Sequence, residues 1–256
     1  MSKNDNFFGP RKIGIVDILM HSAGGFTAGF IGSVLLLFIV LSFGGLIDLP
    51  SKIGQVSFTM GGNSPIFPFA LSFITFIVSI IVVLLTYYFL TIIDQEKYKK
   101  TIIHFSQLAI FSIIIYILFI TIYVVVGVNN YDYIMYVFIF HILILTFGSI
   151  LILELLNNYR YILLGIYSSF FGFGIASILI LFIFSMFGSS YAKLLSLLLM
   201  LPLSVGLLLF FKGLFEFLYY KYFIITGKDQ LGDIFEQIKQ EEIDLYNENV
   251  AENNTY

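Results

Sequence analysis

Few side chains in this sequence could do chemistry, and they stand far apart. His141 lies nine residues past Asp132 inside the uncharged stretch 133–153. That is about 13 Å along a helix at 1.5 Å per residue, close to the middle of a membrane span. An ionisable group at such depth is costly and is a functional candidate by default. It could carry a proton, contact a ligand or ligate a metal. The plainer role is a neutral imidazole bonded to a backbone carbonyl or a hydroxyl of another helix, and the lack of a second histidine or carboxylate at matching depth favours that role. Gln107 is the one amide inside a span and completes, with His141, the candidate intramembrane polar site.

The remaining candidates come in close pairs. Asp17 and His21 share a helical face at i,i+4 spacing, which suggests a local ion pair at the membrane boundary. Lys212 and Glu216 have the same spacing near one end of an apolar stretch. They are expected to neutralise each other and reach toward the headgroups. Glu154 and Arg160 flank the turn Asn157-Asn158, where a helix-end charge pair is expected. The chain has no cysteine, so a disulfide, a thiolate metal site and a cysteine nucleophile are excluded within it. His21, His104 and His141 are too scattered for a metal centre, and no His-Glu-x-x-His, serine nucleophile motif or paired intramembrane aspartates occur. The expectation is a protein that is not an enzyme and needs no cofactor or metal.

The elements that must position these residues follow from composition. The 256 residues are 59% hydrophobic and 11% charged, with mean hydropathy +0.97. Soluble domains carry about 25% charged residues. The deficit excludes an ordinary soluble enzyme, a disordered chain and a basic nucleic-acid binder. Spanning a bilayer takes about 20 apolar helical residues. Stretches free of Asp, Glu, Lys and Arg cover 18–47, 53–93, 101–131, 133–153, 161–192 and 194–211. They predict six helices at roughly 25–47, 67–92, 102–126, 133–155, 162–187 and 192–218, not barrel strands, because apolar residues follow one another without alternating. The expected fold is all-α, a polytopic bundle of six transmembrane helices with a short cytoplasmic C-terminal amphipathic helix.

Three regions are expected: residues 1–24, a cytoplasmic start with an interfacial segment made polar by Asp17 and His21; residues 25–221, the six-helix body; and residues 222–256, a tail. The tail holds two lysines against eight carboxylates, a net −6, which leaves the body at +3. Lys3, Arg11, Lys12, Lys97, Lys99, Lys100, Arg160, Lys221, Lys228 and Lys239 fall on one side of the predicted topology, and only Lys52 and Lys193 on the other. The bias places both termini in the cytoplasm of a plasma or inner membrane.

Small residues mark where helices can approach. Gly25, Gly29 and Gly32 line the start of the first span, and Gly165, Ser168, Gly172 and Ala176 recur along the fifth, both as small-xxx-small patterns. Their partner could lie in this chain or in another. In the tail, Leu231, Ile234, Phe235 and Ile238 fall near one helical face, with acids opposite, and suggest docking against a partner. A body so poor in charge is expected to be a non-catalytic subunit, scaffold or assembly factor of a membrane complex. Its partners are then the lipid bilayer and other membrane subunits or further copies of itself, with no nucleic acid. The alternative is a small transporter or channel for an apolar or weakly charged substrate.

Overall fold

The computed structural model describes residues 13–44, 66–95, 97–98, 101–129, 133–157, 162–186, 190–226 and 228, with isolated positions at 237, 240, 241, 243 and 244. Six α-helices account for nearly all of them: α1 (Ile15–Gly44), α2 (Ile66–Ile93), α3 (Ile102–Asn129), α4 (Ile134–Asn157), α5 (Ile162–Met186) and α6 (Ser190–Tyr219). A π-helical turn, Tyr220–Ile224, follows α6. No strand occurs among the described residues. Each of the six helices holds a segment of 21 to 27 residues long and apolar enough to cross a membrane. The tail residues Leu231, Ile234, Phe235 and Ile238 lie outside the described residues.

Helix α1 starts ten residues before the expected first span, so residues 15–24 are its opening turns. Its start has a local cause. Asp17 Oδ2 accepts the Gly14 N–H at 2.8 Å, while Ile18 N–H bonds the Gly14 carbonyl. An acid that reaches back over the first turn satisfies a donor the helix cannot.

Consecutive helices pack antiparallel, and α1 closes the ring against α6, while α4 also touches α2 and α6. The starts of α1, α3 and α5 and the ends of α2, α4 and α6 therefore share one end of the bundle, here called the near end. Burial follows this layout. Within an 18-residue apolar stretch of each span, 61% of the residues are buried in α4 and 56% in α6, against 22% in α3 and 28% in α5. The outer helices carry exposed apolar side chains such as Ile113 and Ile117 on α3 and Ile178 and Phe182 on α5.

Helix α6 is the spine. Lipid tails are as apolar as leucine, so helices in a bilayer associate through close packing more than through expulsion of water. The small residues allow that packing, and their partner lies in this chain. A Cβ on Gly29 would stand 2.6 Å from the Leu201 carbonyl oxygen, and one on Gly172 would stand 2.7 Å from that of Leu208. Gly25 meets Val205 and Leu209, Gly32 meets Val82 of α2, and Ala176 is fully buried.

Pro202 lies in this seam, and α6 runs through it unbroken. A proline has no N–H, so it leaves the carbonyl four residues earlier without its helical donor. Ser33 Oγ of α1 donates to that carbonyl, on Leu198. An apolar solvent offers no water to do this, so the hydroxyl must come from a neighbouring helix.

These contacts separate two glycines of the same residue type. Gly29→Ala is expected to lower the thermal midpoint in detergent by an amount matching about 1–3 kcal/mol of overpacking. Gly174→Ala, where a Cβ meets nothing within 4 Å, is expected to leave it unchanged or raise it by up to about 1 kcal/mol of helix propensity. Equal effects at both positions would exclude a close α1–α6 seam.

Candidate functional site

The near end gathers charges that the sequence scatters. Asp94 begins the assembly. It follows the last residue of α2, its Oδ1 accepts the Lys97 N–H at 3.2 Å, and its carbonyl accepts the Tyr98 N–H at 2.9 Å. This turn directs Lys97 and Tyr98 back into the bundle. Thr101 then starts α3 by accepting the His104 N–H on its hydroxyl at 3.3 Å, as an N-cap does.

Glu154, on the last turns of α4, is fully buried at the centre of this group. Its Oε1 takes Lys212 Nζ of α6 at 2.9 Å, Lys97 Nζ at 3.0 Å and the Tyr98 hydroxyl at 2.9 Å. Glu216, one turn beyond Lys212, bonds Lys212 through Oε1, accepts the Ser168 hydroxyl of α5 at 3.0 Å on the same oxygen, and faces Lys97 at 3.5 Å through Oε2. Two lysines and two glutamates thus cancel within one contact group. Among the described residues Glu154 Oε2 has no hydrogen-bond partner, and it packs on Gly165, where a Cβ would stand 2.8 Å away. Gly165 and Ser168 therefore serve the network as well as helix packing.

The expected pairings change accordingly. Lys212 and Glu216 do meet, but buried, and not reaching toward headgroups. Glu154 pairs with lysines from two other elements, while Arg160 lies outside the described residues. Asp17 caps α1, and His21 Nε2 instead faces Asp94 Oδ2 at 3.5 Å, with its ring edge-on to Tyr98. The physical reason is common to all three. A charge held in an apolar bundle takes the opposite charge at its own depth, whichever helix supplies it, because desolvation outweighs sequence proximity.

His141 is also fully buried, but elsewhere. Its Nδ1 lies 3.4 Å from the Tyr123 hydroxyl of α3, and its ring stacks on Phe119 at 4.6 Å. His141 Nε2 has no partner among the described residues. Gln107, whose buried Oε1 is likewise unpaired, precedes Tyr123 by 16 residues on α3, about 24 Å along the helix. The structure does not bring Gln107 and His141 together. Among the described residues no group of three or more histidines and carboxylates could hold a metal ion.

Lys97 and Tyr98 stand in the connection outside the spans. Burial works against the Lys97 ammonium, but Glu154 and Glu216 outweigh it and hold its pKa well above the ordinary lysine value. Burial, and then the Glu154 carboxylate, push the Tyr98 hydroxyl well above the usual tyrosine range. Both groups hold their protons more tightly folded than unfolded. Their stabilisation is complete below the ordinary values, near pH 10, and is lost as pH rises beyond them.

Two outcomes follow. The thermal midpoint is expected to show no loss from these two groups between pH 6 and about pH 9 and to fall above about pH 10, with a smaller alkaline fall in Tyr98→Phe; a fall in Tyr98→Phe equal to that of the native chain would count against the assignment. Glu154→Leu alone, which leaves two lysines against the single carboxylate of Glu216, is expected to cost about 3–5 kcal/mol, whereas Glu154→Leu combined with Lys212→Met recovers a large part of it. An additive double variant in chemical unfolding would mean that the two side chains are not coupled. No protein-family model, curated protein or solved structure matches the chain.

Proposed function

We propose that the chain is a non-catalytic structural protein of a plasma or inner membrane, a subunit, scaffold or assembly factor of a membrane complex, with both termini cytoplasmic. The observation that carries this reading is the electroneutral group of Lys97, Glu154, Lys212 and Glu216, whose members bond one another across three elements. Charges arranged in this way hold helices in register and leave none of the four turned toward a substrate. The six apolar helices are compatible with a membrane protein.

The transporter alternative rests on His141 and Gln107. Gln107 stands about 24 Å along α3 from Tyr123, the residue in contact with His141, which weighs against a shared polar site and favours the structural role. Partners are other membrane subunits or further copies of this chain, in addition to the lipid bilayer. After gentle solubilisation, native mass measurement is expected to show an assembly heavier than the 29.1 kDa chain. Truncation after residue 226 is expected to weaken it, because the acidic tail is the proposed docking segment. A lone monomer, unaffected by truncation, would end this reading.

A further inference from the structure

The charge group at the near end is neutral only because Lys97 completes it. Without that side chain, Glu154, Lys212 and Glu216 leave two carboxylates against one ammonium, a net −1 in an apolar bundle. Such a balance is costly until one monovalent cation enters. Lys97 also differs from the other members in its place. Glu154, Lys212 and Glu216 stand on α4 and α6 with side chains 0%, 4% and 7% exposed, whereas Lys97 stands between two spans and is 19% exposed. It is the member that a solute at the near end meets first.

The surroundings of its ammonium are those of a bound cation. Lys97 Nζ lies 3.0 Å from Glu154 Oε1 of α4, 3.5 Å from Glu216 Oε2 of α6 and 5.4 Å from the centre of the Tyr98 ring. Two carboxylates and an aromatic face suit an ammonium, which donates N–H bonds and is drawn to the negative face of the ring. A hard metal ion asks instead for a shell of oxygens. The tethered amine also leaves a demand unmet. Among the described residues Glu154 Oε2 has no hydrogen-bond partner, although the side chain has no exposed surface, and the Glu216 contact is longer than a charge-assisted hydrogen bond. A buried carboxylate oxygen without a donor is costly. A free primary ammonium has three N–H donors and is not confined to the oxygens that a tether allows.

We propose that Glu154 and Glu216 form a binding site for a primary ammonium group, that Lys97 fills it as a tethered cation, and that an ammonium arriving at the near end exchanges with Lys97. One cation replaces another, so the charge of the group is unchanged and no proton moves. The consequence falls on the connection between α2 and α3. Lys97 and Tyr98 join it to Glu154, and the turn that delivers them is held by the Lys97 N–H on Asp94 Oδ1 and the Tyr98 N–H on the Asp94 carbonyl. Displacement of Lys97 lets this turn open. Two sources carry the chemistry, an aminolipid headgroup and a soluble amine. The inference goes beyond the structural role, which stands whether or not the exchange occurs.

Methylammonium is the probe, and tetramethylammonium, which has no N–H, is the control at equal ionic strength. Lys97→Ala is expected to lower the thermal midpoint in phosphatidylcholine nanodiscs, and methylammonium to restore most of the loss, with half-saturation no tighter than roughly 5 mM, the ceiling for two non-hydrogen atoms. Adding Glu216→Gln, which leaves the group neutral, is expected to abolish the response. In the native chain, methylammonium is expected to speed amide hydrogen exchange in a peptide covering residues 94–98, and tetramethylammonium to leave it unchanged. This arm needs no variant, so it decides the matter even where Lys97→Ala does not fold. Faster exchange without added amine in nanodiscs containing phosphatidylethanolamine than in phosphatidylcholine alone assigns the source to the headgroup. Equal exchange in the two lipids, with the methylammonium response kept, assigns it to soluble amines. No methylammonium response in the native chain, or one matched by tetramethylammonium, would overturn the inference. Rescue of Lys97→Ala without a response in the native chain would overturn it too, because Lys97 is then not displaced.

Discussion

A carboxylate without access to water must find cations or lose its charge, and Glu154 sets that condition for this fold. It stands near the end of α4 with no exposed surface. Two lysines and a tyrosine hydroxyl converge on one of its oxygens. To deliver them, the α2–α3 connection must turn inward at Asp94 and α6 must pass α4 with Lys212 at matching depth. Glu216, which neutralises the second lysine, then draws in Ser168 of α5. The arrangement of four elements thus follows from one buried charge. A group of this kind is a poor source of net stability but a strict selector of register, because most displaced arrangements leave a charge unpaired in an apolar medium.

The second organising constraint is steric and belongs to α6. Gly29 and Gly172 remove side chains from α1 and α5 where they cross α6, so backbone meets backbone on two sides of the same helix. Pro202 fits there because Ser33 supplies the hydrogen bond that the proline withholds from Leu198. The tight seams and the charge group meet at Lys212: its backbone N lies against Gly172 while its side chain bridges Glu154 and Glu216. Packing on one side of α6 therefore holds the ammonium in place on the other. Helices α3 and α4 lie outside these seams, and at the near end His104 and Glu154 tie them to α2 and α6.

Much of the architecture was legible from composition because the relevant physics is one-dimensional. Uninterrupted apolar stretches of about 20 residues can satisfy their backbone in lipid only as helices, and short charged breaks set their number. The small-residue patterns were legible as packing faces, although not their partner. The charge group was harder to see. Lys212 and Glu216 read as a self-contained i,i+4 pair, and Glu154 as the neighbour of Arg160, because sequence offers only neighbours along the chain. One signal was present: a lysine inside a span needs a carboxylate at equal depth, and Glu154 lies near the same end of its own span. His21 likewise faced Asp17 in sequence and Asp94 in space, because Asp17 was already engaged by the first turn of α1.

By itself, the sequence determined that this is a chain of six apolar helices, where they begin and end to within a few residues apart from the start of α1, and that an acidic tail follows a mildly basic body. Those properties are sums over local stretches, and hydrophobic length and charge bias need no knowledge of what packs on what. Only the tertiary structure decided that α1 and α5 share α6 as a partner, that His141 and Gln107 belong to different places, and that four charges from three elements form one neutral group. Each of these depends on which helices meet and at what depth. That is settled by the joint cost of burying charge and of bringing backbones together, which no single segment of the chain carries.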